Sequence, residues 1–163
     1  MSPGFRFRRP LEADHRFLVD RVDEWWGGRR LHQLLPRLWF QHFTGTSWVV
    51  EDANGAIVGF LVGFISPDHP DIAYIHMVAT SPNHRGAGLG RALYERFFAD
   101  VRSRGARRVK AITWPGNRVS VGFHRAMDFV PDEGPGTQRL YGTPAYPDYD
   151  AEGDDRVVFS REL

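Results

Sequence analysis

His84-Arg85-Gly86-Ala87-Gly88-Leu89-Gly90-Arg91 is the stretch that decides how this chain is read. Ahead of it, the apolar run from Ile72 to Thr80 predicts a strand. Behind it, Leu89, Leu93, Phe97 and Val101 recur every fourth residue and predict a helix from Leu89 to Arg104. A strand, a glycine-rich turn and a helix N-terminus together make a pocket for a phosphorylated cofactor. Glycines let the backbone approach a ligand closely, the first helical N–H groups have no acceptor within the helix, and the helix dipole favours an anion there.

Three glycine patterns compete for this turn. A P-loop requires Lys-Ser or Lys-Thr after the last glycine, and none follows. A dinucleotide-binding Gly-x-Gly-x-x-Gly is met by Gly86 and Gly88, but its third place holds Arg91; starting at Gly88-x-Gly90 puts Leu93 there. That unit also needs an acidic residue about 20 positions on at the end of a second strand, and Asp100 is too early and lies within the helix pattern. The third pattern, Arg-x-x-Gly-x-Gly, is met by Arg85, Gly88 and Gly90.

The 163 residues make about one domain, here residues 1–163, long enough to bury a sizeable core without staples. With no cysteine there is no disulfide framework, no thiolate metal site and no cysteine nucleophile, which fits a reducing cytosol and a cytoplasmic protein. A formal net charge of +1 gives no strong attraction to nucleic acid or to a membrane surface. Arg6, Arg8 and Arg9 form a basic N-terminus that no apolar signal core follows, and the longest apolar run, Ala56 to Ile65, contains two glycines and is too short to span a bilayer. Five tryptophans argue for an ordered globular domain, and no internal repeat is present.

Outward from the glycine turn, Phe5 to Arg8 alternates as a first strand. Pro10-Leu11-Glu12 opens a helix that runs through Trp26 and stops at Gly27-Gly28, and Leu31 to Phe43 reads as a second helix kinked or split by Pro36. Trp48 to Glu51 is a strand. Asn54-Gly55 reads as a hairpin turn with positive φ at both positions, and Ile57 to Ile65 as a strand whose glycines indicate a bulge or a close approach. Gly105 caps the long helix. Arg107 to Trp114 is a further strand, Asn117 an N-cap for a helix to about Met127, Gly134 to Asp155 a long loop, and Arg156 to Arg161 a closing strand. This order predicts an α+β (mixed α/β) domain rather than a doubly wound sheet.

On the helix after Asn117, the spacing i, i+3, i+7 places Asn117, Ser120 and His124 on one face, with Val119, Phe123, Ala126 and Met127 taken as the opposite, apolar one. The segment Asn117-x-x-Ser120-x-x-Phe123-His124-x-x-Met127-Asp128-Phe129 and the pattern Arg85-x-x-Gly88-x-Gly90 together resemble the two signatures of the GNAT N-acetyltransferase superfamily, and the element order resembles that fold along nearly the whole chain. The resemblance implies a mixed, mostly antiparallel central sheet flanked by about four helices, acetyl-CoA as cosubstrate with no metal, and transfer of an acetyl group to a primary amine. It implies that the amides of Arg85, Gly86, Ala87, Gly88, Leu89, Gly90 and Arg91 bind the CoA pyrophosphate, with Arg85 or Arg91 adding a side chain. Val78, Ala79 and Thr80 would bond the pantetheine arm as an added strand, and Asn117 and Ser120 would line the CoA. The family's usual Tyr, often the acid that protonates departing CoA, is replaced by His124, and its usual Gly by Asp128. A non-catalytic acyl-CoA-binding module of the same fold is the alternative.

Alternation groups Ile72, Tyr74, His76, Val78 and Thr80 on one face of their strand. A base is needed because amines arrive mostly protonated, and some relatives, the arylalkylamine N-acetyltransferases, carry a His at the strand position matching His76. His76 and His124 are therefore the catalytic candidates, with Tyr74 and Glu51 behind them as bases. The strand from Arg107 to Trp114 lacks the Glu that relatives acetylating peptide N-termini often use. Trp25, Trp26, His32, Trp39, Phe40 and His42 fall where the family shapes its acceptor pocket, though aromatic rings at such spacing are more often core. His32 and His42 lack the partners a metal site needs. The acidic run Asp148, Asp150, Glu152, Asp154 and Asp155 reads as a solvated loop that could draw in a cationic amine. The implied partner is a small-molecule or peptide amine, with a homodimer as the family's frequent assembly and no nucleic acid or membrane.

Overall fold

The structure is a computed structural model that describes residues 4–163. Its residues fall into two compact units, one running to Ile65 and resuming over Ile75–Arg104, the other formed by Ser66–Tyr74 and Gly105–Leu163. The first carries β1 (Arg6–Arg8), α1 (Asp14–Val19), α2 (Val22–Trp25), α3 (Trp39–His42), β2 (Trp48–Glu51), β3 (Ile57–Ile65), most of β4 (Ile72–Thr80) and α4 (Leu89–Ser103). The second carries the start of β4, then β5 (Arg108–Thr113), α5 (Arg118–Ala126), β6 (Val130–Pro131), β7 (Gln138–Leu140), β8 (Thr143–Ala145) and β9 (Val157–Glu162). Seven strands form a mostly antiparallel sheet in the order β1-β2-β3-β4-β5-β9-β6, and β7 pairs with β8 alone. This is the mixed α/β architecture expected, with five helices among the described residues rather than about four.

In the first unit α4 lays Leu89, Leu93, Phe97 and Val101 inward, as their spacing required, and packs on β2 and β3. Gly105, at φ +98°, follows as its left-handed terminator. A core of Leu18, Val22, Trp25, Leu35, Trp39 and Phe40 covers Val49, Phe60, Val62, Met77 and Ala79 of the strands. Gly59 is the close approach foreseen in β3: a Cβ there would lie 2.9 Å from Val50 Cγ1 and 3.3 Å from the Ala79 carbonyl oxygen. The register of β2 on β3 shifts beside it, between Val50 and Glu51.

Four expectations are corrected. The helix read through Trp26 is two short helices, separated at Asp20 and Arg21, where the turn tightens and Arg21 N–H donates to the Leu18 carbonyl at 3.1 Å. The helix read over Leu31–Phe43 is a 3-10 turn at His32–Leu34 followed by α3, with Pro36 between them. In the β2–β3 hairpin only Gly55 has positive φ, since the Asp52 carboxylate accepts from the Asn54 and Ala56 amides at 2.8 and 3.0 Å and sets the turn from its first residue. The long loop from Gly134 contains the β7–β8 hairpin, whose turn puts Tyr141 and Gly142 at φ +52° and +84°. No helix among the described residues is long and apolar enough to cross a membrane.

Candidate active site

Strand β4 bonds to β5 only over Ile72–Tyr74, opposite Arg108–Lys110. Beyond that its backbone on the β5 side has no strand partner among the described residues. Ser81 N–H donates to the Val58 carbonyl at 2.8 Å, and the Ala79 carbonyl abuts Gly59, so the odd-numbered positions turn their backbone toward β3. By the two-residue repeat of a strand, His76, Val78 and Thr80 turn their N–H and C=O groups to the open side. An unpaired strand edge with alternating donors and acceptors is where an extended ligand can add itself.

That edge leads into the glycine turn. A 3-10 turn at Pro82–His84 is followed by Arg85 in extended backbone, then by Gly86 and Gly88 at φ +87° and +77°. Both glycines are in a conformation that side chains rarely adopt, and a Cβ on either would meet nothing within 4 Å. Gly88 is the left-handed N-cap of α4, and its carbonyl accepts from Ala92 N–H at 3.0 Å. Among the described residues the amides of Gly86, Gly88, Leu89 and Gly90 have no acceptor, which is the donor nest an anion requires. Arg91 lies within 3.9 Å of Glu95 one turn on.

The segment from Val22 to Leu35 lies against the open-side face of β4. Trp26 Nε1–H donates to the Val78 carbonyl oxygen at 3.0 Å. The Arg85 guanidinium donates to the Trp25 carbonyl oxygen, which commits that side chain to the protein. His76 donates from Nε2 to the Leu34 carbonyl at 2.5 Å, and its ring stacks on Trp39 with centroids 4.4 Å apart. This tautomer leaves the lone pair on Nδ1. Burial, ahead of the opposing pull of the Leu34 carbonyl, sets the His76 pKa below its ordinary 6.5, so the ring is a neutral base at pH 7. Asp23 holds the Leu31 and His32 amides and the His32 ring, at 2.6 to 2.8 Å, and so shapes the turn that presents the Leu34 carbonyl.

Asn117, Ser120 and His124 belong to the second unit, the rest of the predicted site to the first. Asn117 caps α5 as expected, its Oδ1 accepting from Ser120 N–H at 3.1 Å. The faces of α5 follow residue type only in part: Ser120 and His124 are 9% and 6% exposed and Val119 is 85% exposed, while Met127 is buried as its apolar side predicts. The reason is aromatic packing. The His124 ring stacks on Phe159 at 4.8 Å, meets Phe129 edge-on, and its Nδ1–H donates to the Ser120 carbonyl at 2.8 Å. Burial again pushes its pKa down, so the imidazolium an acid would need is disfavoured. Asp128 adopts the left-handed turn, φ +65°, that the family's usual Gly would take without strain.

Two lesser candidates are set aside by their surroundings. Glu51 accepts from Arg8 and Arg6 at 2.6 and 2.7 Å, and these bonds hold its carboxyl below the usual range, which makes it a poor base. Burial first, then Tyr149 and Asp150 nearby, pushes the Tyr74 phenol up to about 12. The acidic run stays largely exposed and is bonded within its own loop: Asp155 and Asp148 accept backbone amides, and Asp150 lies 3.2 Å from Arg156. No group of three His, Cys, Asp or Glu among the described residues could hold a metal ion.

The family model described as Acetyltransferase (GNAT) family matches residues 14–129, from α1 through both signatures. The chain belongs to that family. Among relatives of the GNAT chain, an L-2,4-diaminobutyric acid acetyltransferase of Nocardia farcinica is 32% identical over 117 residues, covering 72% of this chain and 60% of the relative. The chain thus spans about 60% of that protein's length. Ard1 from Thermoplasma volcanium superposes with a TM-score of 0.79 at 20% identity, covering 98% of each chain. A diaminobutyrate acetyltransferase from Paenibacillus lautus, solved with its substrate L-2,4-diaminobutyric acid and coenzyme A, superposes with a TM-score of 0.69 at 21% identity, covering 96% of this chain and 93% of that one. These two likenesses show the GNAT fold.

Residue type alone had marked Trp26 and Trp39 only as aromatic candidates; their hydrogen bond and stack are tertiary facts. The signal within the sequence is position, since both fall in the segment that the resemblance implies would shape an acceptor pocket.

Proposed function

We propose that this protein transfers the acetyl group of acetyl-CoA to a primary amine by direct attack in a ternary complex, with L-2,4-diaminobutyrate the first acceptor to test. The observation that carries the reading is the continuity of the open β4 edge with the acceptor-free amides of the glycine turn. The pyrophosphate binds the amides of Gly86, Gly88, Leu89 and Gly90, and the pantetheine arm lies along Thr80, Ala79 and Val78. The thioester then falls near Val78, whose N–H meets the carbonyl oxygen as negative charge develops on it. The amine nitrogen bonds to the carbonyl carbon, its surplus proton passes to His76 Nδ1, directly or through water, and the C–S bond breaks. A base so placed contributes about 10²–10⁴ in rate. The CoA thiolate takes its proton from water, since His124 is neutral, buried and already donating from Nδ1.

The acceptor is argued from the relatives: the Nocardia farcinica protein, over the part it shares, is named for diaminobutyrate. Thiol release from acetyl-CoA, measured with L-2,4-diaminobutyrate, ornithine, lysine and an aromatic amine, with the product weighed by mass spectrometry, tests the reading. Turnover of diaminobutyrate alone supports it in full; turnover of another amine moves the acceptor only. Tight binding of acetyl-CoA without turnover of any amine favours the second reading, a non-catalytic acyl-CoA-binding module, for which the buried His124 in the usual Tyr place is the specific observation.

A further inference from the structure

The carbonyl of Val78 is occupied. On an edge open to strand addition, a residue offers its ligand one donor and one acceptor on the same side. Val78 offers its N–H and only a shared oxygen, because the Trp26 indole holds one of that oxygen's two lone pairs at 3.0 Å. The indole is held there from several directions. Its backbone neighbour, the Trp25 carbonyl, is bonded by Arg85 of the glycine turn. Its ring packs against the first unit's core, and Gly27 and Gly28, both left-handed, turn the chain away directly after it.

We infer that Trp26 is a positioning residue for the acyl donor, sharing the Val78 oxygen so that Val78 serves mainly as a donor and sets the register of the arm on β4. This rests on the acetyl-CoA reading above. The arm of CoA carries amides, each with an N–H and a C=O, and ends in a thioester, which has only an accepting oxygen. An amide set opposite Val78 would have to share the oxygen that the indole already holds, a cost the thioester does not incur. The contact therefore works against the misplaced arm. Arg85 links the ends of this arrangement, since it belongs to the turn that holds the pyrophosphate and grips the residue beside Trp26.

The test is calorimetric and needs no acceptor amine. Dissociation constants of acetyl-CoA and of CoA are measured for the wild type, Trp26→Phe, which keeps a ring but loses the N–H, and Trp26→Leu, which keeps only apolar contact. Both variants are expected to bind CoA within about twofold of wild type and to lose about two- to tenfold in preference for acetyl-CoA over CoA, the worth of one hydrogen bond. An unchanged preference overturns the inference. So does an equal loss for both ligands with a lowered unfolding temperature, which marks a structural role. A wild type that binds neither ligand overturns the acetyl-CoA reading itself, and the inference with it.

Discussion

His76 lies flat against Trp39, their ring planes 11° from parallel, while its Nε2–H is fixed on the Leu34 carbonyl. Stack and hydrogen bond together settle which nitrogen can take a proton. His76→Ala should lower kcat/KM by about 10²–10⁴ if Nδ1 is the base. The base works only when neutral, so activity is present above its pKa and lost as pH falls through it. Because the pKa is lowered from 6.5, this limb of the kcat/KM profile should lie below pH 6.5 and vanish in the variant. An unchanged profile in His76→Ala would remove His76 from the mechanism.

Gly88 has open space where a Cβ would stand, so the cost of a side chain there is backbone strain and the exclusion of ligand. Gly88→Val should destabilise the free protein by about 1–2 kcal/mol, the cost of a side chain in the left-handed region. It should also abolish the rise in unfolding temperature that acetyl-CoA gives the wild type. A variant that still gains the full ligand shift would misplace the pyrophosphate site.

Glu51 holds Arg6 and Arg8, and Arg8 in turn holds Asp14, tying β2 to β1 and to the start of α1. Glu51→Gln should cost about 2–3 kcal/mol in chemical denaturation, as loss of charge-assisted hydrogen bonds at a buried carboxylate does, while leaving kcat of the folded fraction unchanged. The carboxyl is depressed from 4.5, so its contribution is present above that pH and lost as pH falls through the lowered value; the variant should show a flatter acid limb in stability. A kcat collapse without a stability loss would return Glu51 to the list of bases.

His124 is neutral in the folded protein and free to charge in the unfolded chain. Below about pH 6.5 the unfolded state binds the extra proton, so stability is full above that pH and declines as pH falls toward the lowered folded-state value. His124→Phe keeps the stack on Phe159 and should flatten that decline, with kcat within about threefold of wild type, far less than loss of a general acid would cost. A loss of a hundredfold or more in kcat would restore His124 as the proton donor.

What could be read without coordinates follows from how local each determinant is. The ends of β2, β3 and β4 match their predicted limits because alternation and flanking turns define them within a few residues. The second early helix is interrupted because Pro36 outweighs a continuous apolar pattern, while the first divides at Asp20–Arg21 with no signal in the spacing. Residue type misplaces Ser120, His124 and Val119 on α5 because a histidine reads as polar, whereas against Phe159 and Phe129 His124 packs as an aromatic ring. The β7–β8 turn carries no signal in the sequence because Tyr141 occupies a left-handed position that residue type argues against. The bond from Trp26 to Val78 joins residues 52 apart, and no spacing rule reaches that far.

The unpaired edge of β4 has a colloidal consequence as well as a catalytic one. A strand edge without a partner is a template on which a second chain can build a sheet, and proteins that keep one must guard it. Here the Trp26 indole on the Val78 carbonyl covers part of that edge. The cosubstrate, by pairing with that edge, would then act as a chaperone of the protein's solubility: preparations stripped of CoA should aggregate first, and those kept saturated should stay dispersed.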